Sequence, residues 1–492
     1  MADSFSLESA LTEVNHPRTG TTVFDTGDLR RRYNFGDRVS ELNIAQDPFF
    51  RMVSKLAKKS TDDPQFKFTE RRPSWHKRYG YLKFFSSTVN NPTTLPANTN
   101  NIDAAGNTWY ARVGTDYANT GNLVNRVGQT TTYEEGDANT QPLFFVPDQL
   151  VKFPVTLGSA TGALDSIVAR ITNVDLTSVS NYAVLSLVTV KGVGTAASVA
   201  KGIPASVLQA AGATTDSEET LAPFKCYVVG SAHSQGSGYP ETWKDQPFST
   251  GYGCTQIWKT AMAMDNTTRA TVLKYDASEW ARVWREKLIE HKWDIEQSLL
   301  FNGAAAYASD PWYTDGIISY ISSHGNSFSL PIATKTQDDF LDDMSSFLDP
   351  RYNNSNATLF FVGTAVYNWL HKLSGYFSNN LEVSPNFRSD MALTGKKKVF
   401  GVDITTISTP YGDMNVARNI HLDGTNIGIL ACNMRHMSYR PLVGNGLNRD
   451  TAIYVGIQTL ENSGVDRRVD LIQTEAGLEV QVPEAHAIWV KS

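Results

Sequence analysis

Two periodicities alternate along the chain. In "EWARVWREKLIEHKWDIEQSLLFNG" (279–303) apolar residues recur every three to four positions, which predicts a long amphipathic helix. On a wheel of about 100° per residue with Trp284 at zero, Trp280, Leu288, His291 and Ile295 fall within roughly 40° of it. Ile289 and Trp293 fall on the far side. A helix apolar on two sides is held between layers or between subunits. Asp276 and Glu279 have the spacing of a capping box, with Tyr275 and Trp280 as its hydrophobic staple. Asn302-Gly303 reads as the stop. That makes about 25 residues, roughly 37 Å. "DDFLDDMSSFL" (338–348) and "TAVYNWLHKLSG" (364–375) predict two further helices.

Strands are predicted where β-branched and aromatic residues cluster between turn residues: "LFFVPDQLVKFPVTL" (143–157), "SNYAVLSLVTVKG" (180–192) and "ATLFFVG" (357–363). From residue 399 onwards short strands dominate, including "VFGVDITTIS", "HLDGTNIGILA", "AIYVGIQTL" and "GLEVQV". "NNPTTLPANTNN" (90–101) and "GSAHSQGSGYPETW" (230–243) have no periodicity and read as loops. No repeat of about 20–50 residues is evident.

Composition narrows the class. The chain has 492 residues, 41% hydrophobic and 19% charged, enough for a large core and too apolar for disorder. A net charge of −6 argues against a surface that grips nucleic acid throughout. The charge is uneven, with fifteen Lys/Arg against eight Asp/Glu between 17 and 87, densest in "LRRRYNFGDR" (29–38). Such a run reads first as a solvated arm across an acidic surface, and second as an arm touching phosphates. Cys226, Cys254 and Cys432 are far apart and odd in number, which suggests a reducing compartment rather than a disulfide scaffold. "MADSFSLESALTEV" has no signal-peptide pattern, and no run of about 18 apolar residues predicts a membrane span.

Candidate chemistry is sparse. His291 stands among carboxylates in the long helix, yet Glu286 and Glu290 fall on the opposite side of the wheel and Asp294 flanks it. The spacing matches neither Glu-x-x-His nor HExxH metal sites, so His291 is expected to be packed, with Asp294 or Lys287 one turn away. Arg282/Glu286 and Lys292/Glu296 are predicted i,i+4 pairs. "GVGTAA" (192–197) matches a dinucleotide fingerprint but lacks its following helix, and a turn between strands is preferred. "GKKKVF" (395–400) reads as a solvated basic turn. No catalytic, cofactor-binding or metal site is assigned.

The order of motifs does resemble a known family. "GSAHSQGSGYPETW", then "CTQIWKTAMAM" (254–264), then "EKLIEHKWDIEQSLLFNG" (286–303) resembles the major capsid proteins of tailed bacteriophages with the Hong Kong 97 (HK97-like) fold. Thr255, Gln256 and Ile257 keep the family's strand motif, with Trp258 where Phe is common. Glu290, Lys292, Asp294, Ile295, Glu296, Leu299, Leu300 and Phe301 match its helix pattern. "DPFFRMVSKL" (47–56), "ISTPYGDMNVARNIHLDG" (407–424) and "DLIQTEAGLEVQVPEAHAIW" (470–489) resemble its early segment, a strand turn and the closing strands.

The resemblance implies an α+β fold in five parts. These are an N-terminal arm and entry segment (1–74), an extended loop carrying an inserted β-rich module (75–249) and a peripheral domain with a spine helix (250–335). An axial domain (336–440) and a return to the peripheral domain (441–492) complete it. It implies self-assembly into hexamers and pentamers of an icosahedral shell around double-stranded DNA, contacted non-specifically, with portal and scaffolding or cement proteins and no membrane. Candidate assembly contacts are Arg30, Arg31, Arg32 and Arg38 of the arm, and Ile289 and Trp293 on the helix's second face. The alternatives are an encapsulin-like compartment around protein cargo, or an enzyme with a β-rich accessory domain.

Overall fold

The computed structural model describes residues 47–71, 78–86, 89–92, 105–115, 140–156, 164–191, 225–240, 248–272, 278–304, 311–348, 353, 358–375 and 392–491. In chain order the first elements are α1 (Pro48–Leu56), β1 (Gln65–Glu70), β2 (Tyr79–Ser86), β3 (Thr108–Gly114), β4 (Gln149–Thr156), β5 (Leu164–Asp175), β6 (Ala183–Lys191) and β7 (Lys225–Ser231). Then come β8 (Ser249–Cys254), β9 (Gln256–Asp265), α2 (Asn266–Ala270), α3 (Glu279–Phe301), α4 (Ile317–His324), β10 (Asn326–Leu330), α5 (Gln337–Phe347), β11 (Thr358–Val362) and α6 (Thr364–Gly375). The C-terminal part holds β12 (Ala392–Val399), β13 (Val402–Thr409), β14 (Gly412–Arg418), β15 (Ile427–Asn433), β16 (Met437–Pro441), β17 (Val443–Gly444), β18 (Leu447–Asn448), β19 (Ala452–Gln458), α7 (Leu460–Ser463), β20 (Arg467–Val480) and β21 (Ala487–Lys491).

Strands β2 to β7 close into an antiparallel barrel in the order β2-β3-β6-β5-β4-β7. Closure leaves no lateral edge, so the module does not need a neighbouring sheet to satisfy its backbone. Its interior is filled by side chains. Trp109 is fully buried, edge-on to Phe153 at 5.1 Å and Phe85 at 6.2 Å, and its indole N–H donates to Thr189 Oγ1 at 3.1 Å. The barrel hangs on a two-strand stem, β1 antiparallel to β8. Phe66 and Phe68 of β1 lie opposite Gly253 and Gly251. A Cβ on either glycine would come within 2.4–2.5 Å of those rings, so the residue type follows from close approach.

The rest of the chain is built on two sheets. One has seven strands in the order β10-β21-β15-β11-β14-β13-β12, drawing β10 and β21 from well outside the segment that supplies the other five. Phe328, Phe340, Met344, Phe347, Val366 and Trp489 cluster on one face, under α5 and α6. The opposite face shares a core with α1, α3 and α4 through Phe49, Leu299, Ile321, Phe361, Leu430 and Ile488. Both faces are therefore covered, which explains the unbroken burial of β11 and β15. The second sheet is organised by β20, which pairs along one side with β9 and along the other with β16 and β19.

Local predictions meet the structure in detail. α3 has 23 residues, and Ser278 caps it by accepting the Ala281 N–H. Glu279 is thus the first helical residue, one position after the cap, and bonds to Arg282. Asp276 and Tyr275, and the segment "GVGTAA", lie outside the described residues. "GKKKVF" is not a turn: Lys396, Lys397 and Lys398 belong to β12, paired with Ile404 to Thr405 and Asp403 of β13. The turn falls at Phe400 and Gly401, both with positive φ.

Candidate functional site

α3 lies over β9 and packs against α1 and α4. Arg282 bonds to Glu279 and to Glu286 (2.7 Å), and Lys287 to Glu290 (2.6 Å), all on the solvent side. The first half is less buried than the apolar wheel predicts. Trp280 and Trp284 are half-buried, with charged side chains against their rings. Arg269 and Arg468 lie 5.5 and 5.0 Å from the Trp280 ring, and the Trp284 indole N–H donates to Asp470 Oδ2 at 3.4 Å. Full burial starts at His291 and continues through Ile295, Glu296, Leu299 and Leu300.

The ring of His291 hydrogen-bonds to neither Asp294 nor Lys287 but to two threonines. Thr260 Oγ1 lies 2.8 Å from its Nδ1, and Thr474 Oγ1 lies 2.8 Å from its Nε2. Thr474 donates its own hydroxyl proton to Thr451, so it accepts from Nε2–H, and Nδ1 accepts from Thr260. The ring is a neutral bridge between helix and sheet, and burial pushes its pKa down to about 4. Among the described residues no group of three or more His, Cys, Asp or Glu has the arrangement to hold a metal ion.

The depressed histidine pKa sets a pH dependence. Between pH 6.5 and about 4 the unfolded chain binds a proton that folded His291 refuses. Stability is therefore lost as pH falls through that window, at about 1.4 kcal/mol per pH unit. Urea unfolding at pH 7 and pH 5 should show this loss as the difference between wild type and His291→Asn, since Glu296 titrates in the opposite sense over the same window. An equal pH slope in the two proteins would contradict it.

The sequence missed the main buried polar centre. Glu296 does not pair with Lys292; it is fully buried. Its Oε1 accepts the Phe49 N–H at 3.1 Å and the Asn419 Nδ2–H at 2.8 Å, and its Oε2 accepts the Phe50 N–H at 2.6 Å. One carboxylate thus caps the free N–H groups of α1 and ties α1, α3 and the segment after β14 together. Burial raises its pKa to about 7, against the lowering effect of those three hydrogen bonds. A glutamate set among Ile295, Leu299 and Leu300 was the sequence signal, but its partners are 247, 246 and 123 positions away.

The expected assembly contacts are distributed unevenly. Arg30, Arg31, Arg32 and Arg38 lie outside the described residues. Ile289 and Trp293 are both half-buried, and the Trp293 ring stands edge-on to His421 at 4.9 Å. Sequence reasoning overlooked β19, whose outer edge is unpaired among the described residues. Ile453, Tyr454, Val455 and Ile457 are exposed there, Val455 by 63%, with Leu460 and Val465 beyond. Its apolar residues occupy both faces, a signal that "AIYVGIQTL" carried and that alternation alone does not register. An exposed apolar strand edge of this size marks a surface that another chain covers. Among the described residues no helix is long and apolar enough to cross a membrane.

A spine helix buried at one end, a barrel held out on a stem and an open apolar edge define a subunit that is completed by its neighbours, the class of shell-forming structural proteins. The SU10 major capsid protein model matches residues 17–491, and the chain belongs to that family. It is a bacteriophage major capsid protein, located in the virion shell, and its fold is α+β. Similar solved structures include Gordonia phage Cozz, at 11% identity and a TM-score of 0.35 over 53% of this chain and 78% of that one. The capsid structure of cyanophage P-SCSP1u is similar at 10% identity and a TM-score of 0.35 over 53% and 80%. A virus-like particle from Pyrococcus furiosus is similar at 12% identity and a TM-score of 0.28 over 49% and 78%. No curated protein matches the sequence.

Proposed function

We propose that this chain assembles as hexamers and pentamers into an icosahedral phage head that encloses double-stranded DNA. Assembly takes place in the host bacterial cytoplasm, with portal and scaffolding or cement proteins as partners. The observation that carries the reading is the capsid family match over residues 17–491. The exposed apolar edge of β19 and the obligate-interface character of shell subunits support it. In this reading residues 1–74 form the arm and entry segment, with Arg30, Arg31, Arg32 and Arg38 touching a neighbouring subunit or DNA phosphates. Residues 75–249 form the extended loop, 250–335 and 441–492 the peripheral domain, and 336–440 the axial domain. A net charge of −6 suits a wall that encloses DNA without gripping it.

Electron microscopy of the purified protein, with a scaffold if one is needed, should reveal closed shells. A well-folded chain that stays monomeric under all assembly conditions would falsify the reading. Ile289 and Trp293 are assigned to a subunit contact, so Trp293→Lys should remove most of the shell yield, with only a modest loss in the melting of the isolated subunit from the ring contact with His421. Normal shell yield from that variant would remove both residues from the interface.

A further inference from the structure

We infer that neighbouring copies join head to tail through charge, the basic edge of β12 on one copy meeting the acidic outer face of α5 on the next. The inference rests on the self-assembly reading above and specifies one of its contacts.

β12 is the last strand of the seven-stranded sheet and pairs only with β13 among the described residues. Lys396, Lys397 and Lys398 follow one another along it, all exposed, so their side chains alternate across the edge and charge both of its sides. Beside them lies a cleft of about 470 Å³, also walled by Arg51 of α1 and Arg418 of β14, with Asp47 and Asp403 the carboxylates in its lining. Asp47 is taken by Arg51. Lys396, Lys397, Lys398 and Arg418 have no ion-pair partner among the described residues. Edge lysines alone are an ordinary guard against strand pairing. A guard does not require a cleft, nor arginines brought in from two other elements.

Four unpaired cations cannot face a symmetric copy of themselves, because like charges across an interface repel. A contact made through this edge between identical subunits is then heterologous, joining two different patches, and such contacts form rings when the rotation between copies closes. The same domain carries the complementary patch. Asp338 and Asp342 are exposed, four residues apart and unpaired, on the side of α5 opposite the buried Phe340, Met344 and Phe347. α5 sits over the other half of the sheet: Phe340 and Phe347 pack on Trp489 of β21, and Asp343 accepts its indole N–H. α6 stands between α5 and β12, touching Phe340 through Trp369 and β13 through Tyr367. The two patches are therefore distinct surfaces of one domain, β12 at the edge of the sheet and the outer face of α5 over its other half, as a heterologous contact requires.

The test compares full-length wild type with two charge reversals, Lys396→Glu/Lys397→Glu/Lys398→Glu and Asp338→Lys/Asp342→Lys, and with their combination. Native mass spectrometry reads capsomers and electron microscopy reads shells. At about 0.15 M salt each reversal alone should lower capsomer yield by at least about tenfold, and the combination should recover most of it. Lys397→Ala and Asp338→Ala, which leave strand and helix intact, form a double-mutant cycle in which non-additive losses are expected. Reversals that assemble like wild type, a combination no better than either reversal, or additive alanine losses overturn the contact while leaving the capsid reading in place. Wild-type protein that forms no capsomers overturns the capsid reading itself, and this contact with it.

Discussion

Replacing Glu296 with alanine is expected to destabilise the subunit by about 3–5 kcal/mol. The substitution strands two buried backbone N–H groups and the Asn419 amide, and it opens space where the side chain was. Each unsatisfied donor costs roughly 1–3 kcal/mol. Glu296→Gln is milder but not neutral. Both carboxylate oxygens accept, so the glutamine NH₂ must face a donor, at a cost of about 1–3 kcal/mol. The pH dependence separates the two effects. With a folded pKa of about 7 against 4.5 for the free group, folded Glu296 holds a proton that the unfolded chain has released. Its contribution to stability is fully present below pH 4.5 and is lost as pH rises through 7, at about 1.4 kcal/mol per unit. Urea titrations followed by tryptophan fluorescence at pH 5 and pH 8 should show this slope as the difference between wild type and Glu296→Gln, because the histidine slope opposes it in wild type and is common to both proteins. Equal stability of wild type and Glu296→Ala at both pH values would refute the capping role. Because Glu296 anchors α1, directly after the N-terminal segment, loss of shell assembly should accompany loss of stability.

Trp489→Ala should cost about as much, 3–5 kcal/mol or slightly more, in the seven-stranded sheet. Trp489 is fully buried and stacks on Phe328 at 5.0 Å. The rings of Phe347, Phe340 and Phe360 surround it at 5.7, 6.1 and 6.3 Å. Its indole N–H donates to Asp343 Oδ2 at 2.9 Å, an oxygen that also receives Lys335 Nζ at 2.5 Å. Alanine leaves a cavity walled by four aromatic rings that cannot collapse without leaving their rotamers. Trp489→Phe keeps much of the volume and loses the hydrogen bond, so a smaller loss of about 1–2 kcal/mol is expected. Calorimetry of the isolated subunit checks both, and a loss below about 1 kcal/mol for alanine would contradict this packing.

Elements held by local chemistry were readable in advance. The spacing from 279 to 303 located α3 to within a few residues, and the wheel correctly separated His291 from Glu286 and Glu290. The Arg282/Glu286 pair follows from spacing alone, since one helical turn brings the two side chains together. "ATLFFVG" and "TAVYNWLHKLSG" became β11 and α6 because their apolar periods match those structures. The capsid family was also legible, because its motif order is a property of the chain.

What the sequence determined by itself was the set of local periods and the uneven charge, each governed by residues a few positions apart. Tertiary structure decided which of these segments meet. Closure of the barrel depends on β7 finding β2, residues 225–227 pairing with 79–81. The triple lysine became a sheet edge because β13 pairs one side of β12 and leaves the other open. The fate of Glu296 turned on α1 arriving from 246 residues away with unpaired N–H groups that only a buried acceptor satisfies. Hydrogen-bond and burial demands of that kind are met between segments distant in sequence, and no window along the chain contains both partners.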